Sequence, residues 1–188
     1  MSSTQALARR AVALDGADAE ARSLLSGILW HRGDYEGALA EVEKALATAP
    51  TLALAHWELA ATLIFSGSPN AGLTALQRSI RLDPHGPQSE VRLNVMALGF
   101  YLSREYVAAV ETAKQAIRSY PDFANPYRWL AAALGQLGRI EEAKEALEKA
   151  IALSPALWER NVRNRVPWVR PEDHAHMLEG LRKAGWEG

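Results

Sequence analysis

Small and apolar residues along this chain fall into one repeating frame of about 34 positions. Turn residues mark the frame: Gly16, Pro50, Pro84, Pro121 and Pro155 are 34, 34, 37 and 34 residues apart. Counting so that each turn residue occupies position 32, full units begin at Ala19, Ala53, Glu90 and Ala124. Position 8 is then Ser26, Ala60, Ala97 and Ala131, and position 20 is Ala38, Gly72, Ala109 and Ala143. Position 27 is Ala45, Ser79, Ala116 and Ala150. Small side chains at positions 8 and 20 let the two helices of a hairpin approach closely. At position 27 they let the second helix of one hairpin lie against the first helix of the next. Larger residues fill position 7 (Leu25, Leu59, Met96, Leu130), position 11 (Leu29, Leu63, Phe100, Leu134) and position 28 (Leu46, Ile80, Ile117, Ile151). This spacing predicts amphipathic helices of about three to four turns. The expectation is an all-α chain, an α-solenoid of antiparallel helix pairs rather than a globule around one buried pocket.

Punctuation follows the same frame. Gly33, Gly67 and Gly138 stand at position 15, between the two helices, where a residue able to take positive φ closes the first helix; Arg104 replaces glycine in the third unit. Thr51, Ser68 before Pro69, and Asn125 before Pro126 mark helix starts. The three extra residues before the third unit lie within His85-Gly86-Pro87-Gln88-Ser89.

Over residues 4–155 the pattern resembles the tetratricopeptide repeat family. The resemblance implies a right-handed superhelix whose concave face is lined by the first helix of each unit and serves to dock proteins or peptides. One departure is at position 4, where the family carries an aromatic: here it is Arg22, His56 and Leu93, and only Tyr127 matches. The organisation read from the frame is a single domain, with a half repeat at 1–18, full repeats at 19–52, 53–86, 90–123 and 124–157, and a C-terminal cap at 158–188.

Both ends differ from the repeats. Residues 2–14 match only the second helix of a hairpin, with Ala8, Ala11 and Leu14 on its apolar side and Ser2 and Gln5 at capping-box spacing. An apolar face without its partner helix calls for a preceding segment, a second copy forming a homodimer through the half repeat, or a chain trimmed at a loop. At the other end, Trp158 and Val162 are expected to seal the last hairpin. Pro171-Glu172-Asp173 is expected to open a final helix carrying Met177, Leu178 and Leu181 on its apolar side. The run from Arg165 to Asp173, with Leu-Glu-Gly-Leu-Arg-Lys-Ala-Gly after it, is also similar to the C-terminus of bacterial proteins in which such repeats follow a class III adenylate or guanylate cyclase or a winged-helix domain. That similarity implies a regulatory or sensory module of a signalling protein.

A formal charge of −1 argues against a general binder of nucleic acid, which must neutralise several phosphates. No apolar run is long enough to span a bilayer, so no membrane role is expected. Cysteine is absent, which removes disulfides, thiol nucleophiles and cysteine metal sites and fits a cytoplasmic location. His31, His56, His85, His174 and His176 are scattered, and no metal or other cofactor is expected. Glu141, Glu142, Glu145 and Glu148, interleaved with Lys144 and Lys149, have the spacing of a solvated helix face rather than of paired catalytic carboxylates. With no phosphate loop or nucleophile elbow either, no enzyme is expected.

What the resemblance implies for binding rests on positions 2, 5, 9, 12 and 13 of each first helix. They select Trp30, His31, Trp57, Ile64, Phe65, Asn94, Leu98, Tyr101, Arg128 and Gln136. That wall suits an amphipathic helix or apolar peptide, with Asn94, Arg128 and Gln136 orienting it, unless the aromatics pack between hairpins instead. The basic clamp for acidic peptides found in some members of the family does not carry over, since its positions hold Ser23 and Gly27. Two functions compete: a noncatalytic scaffold for a peptide or protein segment, and a self-association or regulatory module.

Overall fold

The computed structural model describes residues 3–86, 88–166 and 169–188. All regular structure among them is helical. The chain divides into two compact units, Met1–Gly86 and Pro87–Gly188. The division falls in the loop that carries the three-residue insertion.

The first unit holds α1 (Ser3–Leu14), α2 (Ala19–Trp30), α3 (Tyr35–Thr48), α4 (Ala53–Phe65) and α5 (Pro69–Leu82). Helices α2 and α3 form one hairpin and α4 and α5 the next, while α1 packs on α2. The second unit holds α6 (Ser89–Leu102), α7 (Tyr106–Ser119), α8 (Ala124–Gln136) and α9 (Ile140–Leu153) as two further hairpins. A short α10 (Pro155–Trp158) runs into a π-helical segment, Glu159–Arg163, and α11 (Pro171–Lys183) ends the chain. The four repeats therefore follow the frame read from the sequence.

Burial obeys the frame closely. The small residues at positions 8, 20 and 27 are buried in every repeat. Ala45 of α3 shares a buried cluster with Ala55 of α4, the contact between successive hairpins that a small residue at position 27 permits. Gly33, Gly67 and Gly138 all take positive φ, and so does Arg104, at 63°. Arginine in this left-handed conformation costs roughly 1 kcal/mol relative to an unstrained backbone, so the turn geometry is retained despite the loss of glycine.

Three of the four residues at position 4, all but Leu93, share one task. Arg22 Nε donates to Gly16 O at 2.8 Å, His56 Nε2 to Pro50 O at 3.0 Å, and Tyr127 Oη to Pro121 O at 3.2 Å. Each ties the first helix to the carbonyl of the preceding turn residue, so a hydrogen-bond donor of suitable reach replaces the family's aromatic.

Helix starts correct part of the sequence reading. Thr51 and Asn125 cap nothing: α4 starts at Ala53 behind Leu52, and α8 starts at Ala124, placing Asn125 and Pro126 inside its first turn. Ser68 is the cap residue before Pro69 but makes no side-chain cap bond. The carboxylates of Asp18 and Asp34 do cap, accepting from Ala21 N at 2.9 Å and Gly37 N at 3.0 Å. Leu14, expected on the apolar side of α1, is 80% exposed. The expected Ser2–Gln5 capping box involves a residue outside those described.

The C-terminal segment packs largely as expected. Trp158 and Val162 are buried, and Trp186 meets Trp158 edge to face, 5.9 Å between ring centroids. Met177 and Leu181 are buried and Leu178 partly so.

Candidate partner-binding faces

The first helices of the repeats, α2 and α4 in one unit and α6 and α8 in the other, carry nine of the ten residues singled out by the frame, and His31 is the residue that caps the end of α2. In the first unit His31 and Phe65 gather on Trp30. Its indole stacks on the His31 ring at 3.5 Å and on Phe65 at 5.1 Å with an interplanar angle of 11°. Its Nε1 donates to Oε2 of Glu58 at 2.8 Å. Trp30, Trp57 and Ile64 are buried, Ile64 against Gly72 of α5 within its own hairpin; Phe65 is half-buried and His31 exposed. His31 Nδ1 donates to Gly27 O at 2.8 Å, and lost hydration on its packed side lowers its pKa.

Beside this stack lies an open cleft of about 530 Å³, lined by Thr4 of α1, by Leu24, Gly27 and Ile28 of α2, by the following His31 and Arg32, and by Glu58 of α4. Glu58 is 7% exposed, and burial raises its pKa to about 7 against the smaller opposing effect of the Trp30 bond. The groove positions pass over it because it stands at position 6. A signal existed there: position 6 is Leu24, Glu58, Val95 and Trp129, one carboxylate among apolar residues.

In the second unit the corresponding face carries α11, which packs on α8. Tyr101 is fully buried, and its hydroxyl donates to the backbone carbonyl of His176 at 2.7 Å while the two rings stack at 4.7 Å. Burial raises the Tyr101 pKa and, with the neighbouring Arg104, lowers that of His176. Lys183 Nζ donates to Gln136 Oε1 at 2.7 Å. Two glycines permit the crossing: a Cβ on Gly135 would collide with the Gly180 carbonyl, and one on Gly180 with the Tyr101 hydroxyl and the Ala132 carbonyl. Tyr101 and Gln136 thus meet the chain's own terminal helix. Leu98 and Asn94 are buried, and Asn94 Oδ1 has no hydrogen-bond partner among the described residues. Arg128 lies over the Trp129 ring at 4.7 Å, and burial, with Arg160 nearby, lowers its pKa to about 10.

Other candidate chemistry dissolves into ordinary surface roles. Glu142 pairs with Arg139 and Lys114, and Lys144 with Glu141, on an exposed face of α9. Arg163 pairs with Glu159, and Arg170 with Glu172 and Asp173. Among the described residues no three histidine, aspartate or glutamate side chains gather as a metal site, and no helix is long and apolar enough to cross a membrane.

Comparison with known proteins agrees with this architecture. Family models described as tetratricopeptide repeat match residues 4–53 and 124–157, so these repeats are present in the chain. A curated relative, small glutamine-rich tetratricopeptide repeat-containing protein 2 of Mycosarcoma maydis, is 33% identical over 86 residues, 46% of this chain. The match spans about a quarter of that relative's length (24%). Among solved structures, PilW, described as a type IV pilus biogenesis factor, superposes with a TM-score of 0.74 at 15% identity, over 96% of this chain and 79% of its own. YrrB, described as a TPR protein with an unusual peptide-binding site, gives 0.64 at 16% identity, over 94% and 90%. At these identities the structures establish a shared fold alone.

Proposed function

We propose that the chain is a noncatalytic interaction scaffold whose first unit takes up a peptide or protein segment on the face built by α2 and α4. The observation that carries this reading is the open cleft beside the Trp30–His31–Phe65 stack, where the apolar side chains Leu24 and Ile28 are joined by the polar groups of Thr4, His31, Arg32 and Glu58, a mixture suited to recognition. The presence of tetratricopeptide repeats, and a peptide-binding site in a protein of like fold, support it. An amphipathic helix is the favoured form of partner, because α11 is already one such helix lying on the second unit's face. There, a partner for Asn94, Leu98, Tyr101, Arg128 and Gln136 has α11 as its competitor. Nucleic acid and lipid surfaces are not partners in this reading, given a net charge of −1.

The test is selection of helical peptides against the intact chain, followed by titration of the selected peptides into Phe65→Ala. We expect an affinity loss of about tenfold or more with little change in melting temperature, since Phe65 is only half-buried. Equal affinity for both proteins would place the binding surface elsewhere.

A second reading, self-association as a regulatory module of a larger signalling protein, draws on α1, where Leu7 and Leu14 are 67% and 80% exposed. Sedimentation over a wide concentration range discriminates. A dimer abolished by Leu7→Ser with Leu14→Ser favours this reading, and a monomer throughout favours the scaffold.

A further inference from the structure

We propose that the cleft of the first unit is a receptor for a lysine or arginine side chain of the bound segment, with Glu58 as its counter-charge. This deepens the scaffold reading and rests on it.

The argument begins with where Glu58 stands. It lies in the middle of α4, in the stretch Ala-His-Trp-Glu-Leu-Ala-Ala, at a register position that is apolar in the other three repeats. A carboxylate there is 93% removed from solvent by its 7% exposure, yet no cation of the described residues lies within ion-pair distance of it. Oε2 is held by the Trp30 indole, and Oε1 is not among the fully buried atoms without a partner, so it is the oxygen left to the open cleft. An ionised carboxylate buried with one neutral donor is costly, and its raised pKa reports that cost. Its structural task is to accept from the buried Trp30 indole N–H, which a neutral amide oxygen would do as well without a charge; leucine, valine or tryptophan stands at the equivalent position in the other repeats.

The surroundings define what relieves the cost. Gly27 packs directly against the carboxylate at the cleft: a Cβ there would come within 3.0 Å of both carboxylate oxygens, so glycine is what leaves them room. The apolar part of the lining is Leu24 and Ile28, and Thr4, His31 and Arg32 line the cleft with them. Arg32 is exposed and makes no ion pair with Glu58. An alkylammonium or alkylguanidinium matches this shape: the aliphatic stem lies along Leu24 and Ile28, and the charged head reaches Oε1. An acidic or wholly apolar side chain leaves the buried charge unpaired, so charge complementarity selects the basic one.

Glu58→Gln tests the proposal without removing the scaffold, because the amide oxygen still accepts from Trp30. The first probe is n-butylammonium chloride, titrated at pH 8 and followed at the Trp30 indole N–H resonance, with n-butanol as the uncharged control. A saturable shift in wild type, absent with butanol and absent in Glu58→Gln, is the expected result. No saturable shift, or the same shift in both proteins, overturns the cation site. The second probe is the set of helical peptides selected on the intact chain. A basic residue recurring at one position, and affinity at least tenfold weaker for Glu58→Gln, support the proposal. Peptides weakened by Phe65→Ala but indifferent to Glu58→Gln overturn the cation receptor and leave the scaffold standing. A butylammonium response without any selected peptide does the reverse, removing the scaffold reading while the cation site stands.

Discussion

In the first unit, the small residue in mid-face is Gly27, which packs against the side chain of a buried glutamate beside an open cleft; in the second, Gly135 looks directly at the backbone of α11. The two units repeat the same hairpin, with the same small residues at the helix contacts, but their outer faces have opposite fates. The difference comes from residues the fold does not need. Position 12 is Trp30 and Ile64 in the first unit and Tyr101 and Gly135 in the second. Only Gly135 lets another helix come to backbone contact, and Tyr101 supplies the hydrogen bond that registers it. A repeat frame thus specifies the helical hairpins, while its free positions decide whether a face is closed by the chain's own helix or left open.

The largest effect should come from Trp57→Ala, which removes a buried indole of the first unit. We expect a loss of about 3–5 kcal/mol, seen as a lower midpoint in chemical denaturation. A loss below about 1 kcal/mol would show that Trp57 belongs to the surface of the face and not to its body.

Glu58→Gln should act next, through pH. The folded pKa is raised from 4.5 to about 7, so the folded state binds the proton more tightly than the unfolded chain. The stabilisation this confers is fully present below pH 4.5 and is lost as pH rises through about 7. The variant should therefore match wild type near pH 4 and exceed it by about 3 kcal/mol above pH 8. A difference independent of pH would mean the carboxylate is not buried in solution.

Gly180→Ala addresses the second unit alone. Its Cβ has nowhere to go between Tyr101 and Ala132, so α11 should lift or shift at a cost of about 1–3 kcal/mol. Hydrogen exchange should report it as faster exchange along α11, with the protection of α4 unchanged. Full protection of α11 in the variant would sink the close-crossing account.

Acid should weaken the same contact more gently. His176 is held below its ordinary pKa by burial and by Arg104, with Glu179 opposing and Lys183 adding to the effect. Its contribution is complete above pH 6.5 and declines as pH falls below that value. Protection of α11 amides, taken relative to the intrinsic exchange rate at each pH, should fall between pH 6.5 and 5 in wild type and change less in His176→Gln. The smallest effect is at Arg104: glycine there should stabilise the α6–α7 turn by about 1 kcal/mol by relieving its positive φ.

Legibility follows the same divide. The small residues at positions 8, 20 and 27 were readable because close helix contact admits nothing larger, and each is buried as the frame demands. The turn glycines were readable because positive φ excludes most side chains. Helix starts at Thr51 and Asn125 were misread, since capping residues are common and the chain passes through several before a helix begins. At position 4 a departure from the family's aromatic concealed a shared hydrogen bond, which becomes visible only when Arg22, His56 and Tyr127 are seen to reach the same carbonyl. Glu58 was passed over although its register set it apart from Leu24, Val95 and Trp129.

The sequence by itself determined the hairpins, their register and their helix-to-helix contacts, because these rest on local periodicity and on steric limits that each residue states alone. Only the tertiary structure decided which first-helix face is covered. That outcome depends on residues 40 or more positions apart, Gly135 with Gly180 and Tyr101 with His176, and on a carboxylate whose energy depends on what surrounds it rather than on what it is.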